Sequence, residues 1–505
     1  MFTKFNEEKY NSIVEAIFTY AEKTPNALFA ADVKYSYNYS QAKNAILNAA
    51  ASFTALGVKT GDHVVVECTQ NTAYCIVQQA ISLIGAVFVP YDRKMNNDRL
   101  MEIIHETDAI CTVGTKPVTD KLLYFPISSI NPDLMPVDFN YSFPLADQCS
   151  EILYSTGTTG KAKGIVLTHS NNIALAENIA YGVHMEIDNV EIIPVSLSHS
   201  HGLRTMYANF LNGNAVVIAS GVMFLKPFFS LMDQWGVNAM DLVPSAGRIL
   251  CEHGGKILNT YQDQIRYVEL GSEPLTENDK EILHGLLPKS RLYNFYGSTE
   301  SGRTCTYDFA SNPNKSNCIG KPVINAEVLI VDEKQQTIEN PSEDNTGYLA
   351  FRGPMNMQGY WKNPELTKSI MKNDIFYTKD VGYVDEEGWI FMLGRDDDII
   401  NHGGIKINPI DIEEIVMKYD GVKDCGCIGI PDAVSGEAVW LFVQLDPTAQ
   451  TSSDIVGAWL QKNIDREKRP QRILEIDQIP RTFNGKLHRK KLKEIALDEF
   501  INRDK

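Results

Sequence analysis

The residues best suited to chemistry form one dense polar run, which begins at Tyr154 and reads YSTGTTGKAKG. Glycines let backbone N–H groups approach an anion closely, hydroxyls can donate to phosphate oxygens or bind Mg²⁺, and lysines supply positive charge. The run therefore predicts a phosphate-binding loop. It is not a Walker A loop, because Ser155 stands where that motif requires glycine. The candidate ligands in it are Ser155, Thr156, Gly157, Thr158, Thr159, Gly160 and Lys161.

Six further polar segments follow in order along the chain. They are GSEPL from Gly271, NFYGSTE from Asn294, YTKDVG from Tyr377, GRDDD from Gly394, HGGIKINP from His402 and PRTFNGKLHR from Pro480. Lys486 lies in the last of these on a glycine-containing turn, from which a lysine can reach into a closed site. Its compact charge would neutralise a carboxylate and a phosphate as they meet.

In their order and composition, these segments resemble the motifs of the adenylate-forming superfamily. That superfamily comprises acyl- and aryl-CoA synthetases, carrier-protein-loading adenylation domains and luciferases. The resemblance spans roughly residues 85–489, nearly the whole chain. It implies an enzyme that joins a carboxylic acid to the α-phosphate of ATP and then transfers the acyl group to a thiol.

The resemblance also implies which residues bind ATP and Mg²⁺. Tyr296 would stack on adenine, Thr299 would contact the α-phosphate, and Thr158 and Glu300 would hold Mg²⁺, a cation that prefers a few hard oxygen ligands. The implied nucleotide-binding residues beyond the loop are Gly271, Ser272, Glu273, Pro274, Asn294, Phe295, Tyr296, Gly297, Ser298, Thr299, Asp380 and Arg395.

The ribose and hinge residues come from the third and fourth segments. Asp380 and Arg395 would bind the ribose hydroxyls, and Asp397 stands at the position of the superfamily's hinge. The sequence departs from the family pattern at Lys379, where glycine is usual, so we expect the backbone of that turn to differ from the family's.

The thiol acceptor is implied by the fifth segment. Gly403, Gly404 and Lys406 resemble the loop that faces the pantetheine arm after the small domain rotates. Both CoA and the phosphopantetheine of a carrier protein present that arm, so the loop does not separate them. We expect CoA, and a stand-alone enzyme that loads a carrier protein is the alternative.

The acid substrate would bind at Ser196–Leu203, where the superfamily has its acid-binding segment. This segment has no aspartate to pair with an α-amine, which disfavours α-amino acids. Phe295 stands where malonate-type relatives carry an arginine, so an apolar or aromatic monocarboxylic acid is favoured. We expect Arg204 and Arg303 to form ion pairs at the surface. The implied pocket residues are His199, which would also gate the carboxylate as a catalytic residue, His201, Arg204, Gly271 and Tyr296.

Alternating helical and strand patterns must position these residues. The spacing predicts a helix over 10–23, a buried strand at His63–Cys68, a helix over 71–84 and a strand over 86–90. Such alternation is typical of βαβ units and parallel sheets. With the resemblance, it predicts an α/β fold. A large N-terminal domain (1–394) of parallel or mixed sheets, flanking helices and a distorted β-barrel would precede a small, rotating α+β domain (395–505).

Composition limits the remaining classes of function. The net charge is −17 and no basic stripe appears, which excludes an ordinary nucleic-acid binder. No apolar run approaches the ~18 residues of a membrane span, and the start is too acidic and broken for a signal peptide. Scattered cysteines suit a reducing compartment, so we expect a soluble cytoplasmic protein.

Overall fold

The computed structural model describes residues 9–154, 163–403, 405–432, 434–481 and 487–503. Its described residues form two units. The first holds the chain up to Leu329 together with Ala350–Tyr377, and the second holds Ile330–Leu349 and the chain from Thr378 onward. This division assigns residues on both sides of Asp397 to one unit, so the predicted domain boundary at 394/395 stays a prediction.

The helices of the described residues begin and end as follows. They are α1 (Ile13–Lys23), α2 (Tyr39–Leu56), α3 (Thr72–Leu83), α4 (Asn97–Glu106), α5 (His169–Gly182), α6 (Ser200–Leu211), α7 (Leu225–Trp235), α8 (Pro244–Leu258), α9 (Glu277–Leu286), α10 (Pro364–Ile370), α11 (Pro409–Val416), α12 (Ser453–Asn463) and α13 (Arg489–Arg503). Among the described helices, none has the length and apolar character that crossing a membrane requires.

The strands comprise β1 (Leu28–Ala31), β2 (Ser36–Asn38), β3 (His63–Cys68), β4 (Val87–Asp92), β5 (Cys111–Gly114), β6 (Leu123–Pro126), β7 (Cys149–Tyr154), β8 (Gly164–Thr168), β9 (Val190–Ile193), β10 (Ala215–Ile218), β11 (Ala239–Leu242), β12 (Tyr267–Gly271), β13 (Arg291–Ser298), β14 (Gly302–Asp308), β15 (Cys318–Pro322), β16 (Glu327–Val331), β17 (Gly347–Arg352), β18 (Gly359–Tyr360), β19 (Met371–Lys372), β20 (Ile375–Val384), β21 (Ile390–Arg395), β22 (Ile400–His402), β23 (Ile405–Ile407), β24 (Val422–Asp432), β25 (Gly436–Leu445) and β26 (Arg472–Glu475).

The first unit contains two large sheets. One has the strand order β18-β8-β7-β4-β3-β5-β6, and its β3, β4, β5 and β6 are parallel. The other runs β15-β14-β13-β12-β11-β9-β10-β1-β2, in which β13, β12, β11, β9, β10 and β1 are parallel neighbours. Crossover helices between parallel strands are the arrangement that the alternating sequence pattern predicted.

The start of α1 shows how local chemistry sets an element's limit. The sequence predicted a helix over 10–23, whereas α1 begins at Ile13. The Oγ of Ser12 accepts a hydrogen bond from the N–H of Glu15 at 3.3 Å, which satisfies a helix N–H that has no carbonyl partner. Ile17 and Phe18 on the same helix are buried, so packing stabilises what the cap begins.

The second unit is a small α+β assembly. Strands β23-β22-β25-β24 form a sheet with β26 beside β25. α11 and α12 pack on a core that includes Ile412, Val443 and Leu460. In the same unit β20 pairs with β21 in antiparallel register. The predicted mixed α/β fold, with a large N-terminal sheet domain and a small C-terminal domain, is confirmed; the distorted β-barrel and the rotation stay predictions.

All nine cysteines lie within the described residues as thiols, and seven of them are buried. Burial raises the pKa of the Cys68 thiol to about 11 and that of the Cys111 thiol to about 12, because a thiolate loses its hydration inside the protein. These side chains pack as small apolar groups.

Candidate active site

Two of the predicted nucleotide segments leave the same edge of one sheet. β12 and β13 are parallel neighbours, and Gly271, at the end of β12, pairs with Phe295 on β13. In open parallel sheets, ligands bind beyond the carboxyl ends of the strands. The segment from Gly271 to Pro274 and the segment from Asn294 to Glu300 therefore lie side by side at the edge where a ligand is expected.

The ring of Phe295 organises this edge. A Cβ on Gly271 would lie 2.3 Å from the ring, so only glycine fits beneath it without a shift. The guanidinium carbon of Arg303 lies 3.8 Å from the ring centroid, and the His201 ring meets Phe295 edge-on with centroids 4.7 Å apart. These contacts hold His201, Gly271 and Phe295 of the predicted acid and nucleotide sites together.

A chain of hydrogen bonds runs from the surface into the sheet through His201. Ser272 is exposed, and its Oγ lies 3.0 Å from Nδ1 of His201. Nε2 of His201 lies 2.5 Å from Oδ1 of Asp241, a side chain on β11 with no solvent exposure. Ser272 has φ of 72°, a left-handed conformation that is uncommon outside glycine and marks a locally constrained turn.

Tyr296 follows Phe295 where the pairing of β13 with β14 is irregular. The register between these strands shifts between Tyr296 and Gly297. A Cβ on Gly297 would lie 2.0 Å from the carbonyl oxygen of Gly302, so the close approach of the two strands requires glycine. The Tyr296 ring lies 5.7 Å from that of Phe351, centroid to centroid, and is only partly buried.

The predicted phosphate and metal residues are anchored from two directions. The Oγ1 of Thr299 lies 3.1 Å from the Oγ of Ser200, at the start of α6. The hydroxyl of Tyr360 donates to Oε1 of Glu300 at 2.9 Å. Burial and the Glu300 charge raise the pKa of Tyr360, so its hydroxyl remains a donor to that carboxylate. Lys163 lies with its Nζ 5.3 Å from the Tyr360 ring centroid.

His199 and Glu273 stand at two helix starts near this edge. His199 directly precedes α6, and its carbonyl accepts from the N–H of Leu203 at 3.2 Å. A carboxylate oxygen of Glu273 accepts from the N–H of Ser245 at 3.0 Å, in the first turn of α8. Glu273 therefore fixes the loop after β12, a contact that the sequence did not predict.

Arg204 and Arg303 require a correction. We expected surface ion pairs, but both side chains are buried. An Nη of Arg204 lies 2.5 Å from Oε1 of Glu151, and Arg303 pairs with Glu269, a carboxylate with no solvent exposure. Because an unpaired buried charge is costly, each guanidinium is fixed to its partner. The signal that could have predicted this was a carboxylate inside an apolar strand, as in the YVELG of β12.

Three buried carboxylates lie on one face of this sheet: Glu191, Asp241 and Glu269. Asp241 pairs with Glu269 across β11 and β12, and Glu191 pairs with Ala239, two residues before Asp241. Side chains two residues apart on a strand share a face. Burial, then the charges of Glu269 and Asp241, raise the pKa of Glu191; burial also raises the pKa of Glu269, against the opposing effect of Arg303.

The predicted ribose residues lie in the second unit and face each other across β20 and β21. Asp380 pairs in register with Arg395, and an Nη of Arg395 lies 3.7 Å from Oδ1 of Asp380. The N–H of Asp380 donates to the Oγ1 of Thr378 at 3.0 Å. Lys379 lies within β20 and forms an ion pair with Asp397, with Nζ–Oδ distances of 2.8 and 3.0 Å.

The predicted thiol-binding segment is partly described. Gly403 has φ of 60°, and its N–H donates to the carbonyl of Ser435 at 2.7 Å. Lys406 is described only through its backbone in β23. Gly404 lies outside the described residues.

The predicted loop ligands and the predicted catalytic lysine also fall outside the described residues. They are Ser155, Thr156, Gly157, Thr158, Thr159, Gly160, Lys161 and Lys486. The chain resumes at Leu487, and Arg489 at the start of α13 is held by Glu413, with an Nη2–Oε2 distance of 3.0 Å.

Comparison with known proteins covers both units. A family model described as AMP-binding enzyme matches residues 17–361, and one described as AMP-binding enzyme C-terminal domain matches residues 411–486. A 2-succinylbenzoate–CoA ligase from Bacillus cereus is 25% identical over 463 residues, which cover 91% of this chain and 93% of the ligase.

Solved structures share the fold. O-succinylbenzoate coenzyme A synthetase (MenE) from Bacillus subtilis, in complex with ATP and magnesium ion, superposes with a TM-score of 0.85 and 20% identity, covering 95% of this chain and 99% of that one. ATP-bound MatB from Rhodopseudomonas palustris superposes with a TM-score of 0.85 and 21% identity, covering 97% and 100% of the two chains.

Proposed function

Because the chain belongs to the AMP-binding enzyme family, we propose that it is an AMP-forming acid–CoA ligase. In the first step a carboxylate oxygen attacks the α-phosphate of ATP, pyrophosphate leaves, and an acyl-adenylate stays bound. In the second step the CoA sulfur attacks the acyl carbon, a thioester forms, and AMP leaves. The substrates are a carboxylic acid, ATP with Mg²⁺, and CoA.

The observation that carries this proposal is the pairing of Gly271, at the end of β12, with Phe295 on the parallel strand β13. It supports a single ligand site built from the two segments that follow. Tyr296 offers an aromatic face for adenine, and Thr299 offers a hydroxyl for the α-phosphate. The first step needs positioning and charge stabilisation, so no protein nucleophile is required.

The residues present fit a magnesium ion. Glu300 supplies a carboxylate, which Mg²⁺ accepts together with phosphate oxygens, and Thr158 of the loop would add a hydroxyl. The ion, when bound, would neutralise charge on the departing phosphates. Tyr360 orients the Glu300 carboxylate through its hydrogen bond at 2.9 Å. Asp380 and Arg395 would bind the ribose hydroxyls.

We propose that residues 395–505 act as a lid that rotates about Asp397 between the two steps. Lys486 would stabilise the first transition state and then leave the site. Gly403, Gly404 and Lys406 would then line the path of the pantetheine arm. Such alternation requires only a few hinge residues to change conformation. The cytoplasm is the compartment in which we expect the protein to work.

An aromatic monocarboxylic acid is the acid class that we propose. The rings of Phe295 and His201 provide flat apolar surface at the edge of the sheet. The 2-succinylbenzoate–CoA ligase relative, 25% identical, is named for an aromatic acid with two carboxylates, so it supports the aromatic ring and not the single carboxylate. His199 would guide the carboxylate toward ATP.

A two-stage assay tests the proposal. Pyrophosphate release is measured with ATP, Mg²⁺ and each of benzoate, 2-succinylbenzoate, octanoate and malonate. CoA or a holo carrier protein is then added, and the thioester is identified by mass spectrometry. We expect release with an aromatic acid and acyl-CoA as product. Silence with every acid would refute acid activation, whereas transfer only to the carrier protein would refute the CoA acceptor.

A further inference from the structure

We infer that the acid substrate carries an amino group, which donates hydrogen bonds to the buried carboxylate of Asp241 on β11. This inference rests on the proposed function and names its substrate more closely. The amino group lies away from the carboxylate-bearing carbon, on a ring or at the end of a chain. The evidence is the arrangement of Glu191, Asp241 and Glu269, called below the carboxylate cluster.

The carboxylate cluster lies directly under the proposed acid site. Asp241 contacts His201 of the predicted acid pocket at 2.5 Å, and Glu269 is two residues before Gly271 of the same pocket. All three carboxylates have no solvent exposure. The segment predicted to bind the acid substrate therefore lies next to the three side chains of the carboxylate cluster.

The described residues leave this cluster short of positive charge. Glu269 is paired with Arg303 and also accepts from the Oγ1 of Thr205 at 3.2 Å. Glu191 accepts from the amide of Asn209 at 2.6 Å. Within the described part of the chain, Asp241 has only His201 as a partner that can carry charge. A buried carboxylate without a full cation partner is costly, so a ligand cation or N–H donor would stabilise it.

Unused hydrogen-bonding atoms point the same way. Among the residues that the structure describes, Oδ2 of Asp241 and Oε1 of Glu191 are buried and accept no hydrogen bond, while the other oxygen of each carboxylate is used. Most buried polar atoms in proteins have a partner. The unused Oδ2 of Asp241 calls for a donor, and an amino group supplies up to three N–H bonds.

His201 lies between the exposed Ser272 and the buried Asp241. Ser272 is exposed, His201 is 6% exposed at its side chain, and Asp241 is fully buried. Phe295 forms the neighbouring apolar wall. The inferred pose therefore places the amine of an acid lying against Phe295 where the His201 ring contacts Asp241, with that ring turned aside and the substrate carboxylate toward Thr299.

Matched pairs of acids test the inference in the wild-type enzyme. The 2-, 3- and 4-aminobenzoates are compared with the 2-, 3- and 4-methylbenzoates, and 6-aminohexanoate with heptanoate, by kcat/KM for pyrophosphate release. A site built to bond an amine rejects the analogue that lacks it strongly. We expect kcat/KM for at least one amino-substituted acid to exceed that of its methyl analogue by about 100-fold or more.

Variants assign the preference to Asp241. Asp241→Asn should lower the amino-to-methyl ratio by about 10-fold or more, because the amide loses the charge and one acceptor oxygen. Asp263→Asn removes an exposed carboxylate of the same unit, paired with Lys289, and should keep the ratio. If Asp241→Asn does not fold, the wild-type ratios still decide the matter.

Two outcomes would overturn the inference, and they are distinguishable. Methyl analogues that are activated as well as or better than the amino acids would refute the amine site and leave acid activation intact. Absence of pyrophosphate release with every acid, including benzoate and octanoate, would refute the proposed function and the inference together.

Discussion

The Nζ of Lys379 forms an ion pair with both carboxylate oxygens of Asp397, at 2.8 and 3.0 Å. Lys379 stands where the superfamily usually has glycine, and Asp397 is the predicted pivot of the lid. Both side chains are more than half exposed. The departure from the family pattern therefore places a screened charge contact on the residue that is proposed to rotate.

Replacing Lys379 by glycine should change the second step more than the first. An exposed pair contributes about 0.2–1 kcal/mol, so its loss should leave the unfolding free energy almost unchanged. If the pair holds one lid position, thioester formation should rise by up to about 5-fold, with adenylate formation within about twofold. Stopped-flow measurement of each step checks this, and 0.5 M salt should make the wild type resemble the variant.

The control is Lys362→Ala, which breaks an exposed pair with Asp108 inside the first unit, whereas Lys379 and Asp397 belong to the second. It should leave both rates as they are. Equal effects of Lys379→Gly on the two steps would contradict a role at the pivot.

Removing Lys486 should abolish adenylate formation. Loss of one stabilising group at a developing charge lowers kcat by about 10²–10³-fold, so Lys486→Ala should lower pyrophosphate exchange by at least about 100-fold. Transfer from a supplied acyl-adenylate to CoA should persist. Lys490→Ala, an exposed lysine close in sequence, serves as the matched control. Near wild-type exchange in Lys486→Ala would show that the assignment is wrong.

A side chain at Gly271 should disturb the site and the stability together. Its Cβ would lie 2.3 Å from the Phe295 ring, and overpacking of this kind costs about 1–3 kcal/mol. We expect Gly271→Ala to lower the midpoint of thermal unfolding and to raise KM for the acid. In Gly285→Ala, within α9, the new Cβ meets no atom within 4 Å, so stability should rise by up to about 1 kcal/mol. Calorimetric unfolding measures the stability of each variant, and steady-state kinetics measure its KM for the acid.

Glu191→Gln should stabilise the protein at high pH more than at low pH. The pKa of Glu191 is raised in the folded protein, so the folded state keeps a proton that the unfolded chain releases above about pH 4.3. Wild-type stability from this group is therefore fully present below that pH and is lost as pH rises toward the folded pKa. The glutamine has no proton to release.

Denaturant unfolding at pH 5 and pH 8 checks this sign. The advantage of Glu191→Gln over the wild type should be larger at pH 8. The control is Glu343→Gln, which measures the pH effect of the same replacement at an exposed position. A difference that is the same at both pH values would contradict a protonated Glu191.

The family and the order of the main helices and strands could be predicted from the sequence, because motifs and periodicity are local patterns. The strand His63–Cys68 was predicted with its observed limits. The pairing of Arg303 with Glu269 could not be predicted, since the two residues are 34 apart and meet only when β12 and β14 are placed in one sheet. The same holds for Asp241, whose contact with His201 depends on how α6 packs over the strands.

The backbone conformation of Ser272 could not be predicted from the sequence either. A serine with φ of 72° follows no local rule, because its intrinsic preference is for negative φ. The turn becomes visible only when the hydrogen bond to His201 and the packing of Phe295 on Gly271 are both present.

The burial of the native thiols makes the protein a convenient host for site-specific labels. The pKa of Cys251, one of the two partly exposed thiols, is raised to about 11, which leaves about one thiolate in a thousand at pH 8, and only the thiolate reacts with maleimides. A cysteine introduced at Val434, which is 96% exposed, should react selectively. A dye attached there would report by fluorescence on the second unit during turnover and so test the proposed lid rotation, with the native cysteines left in place.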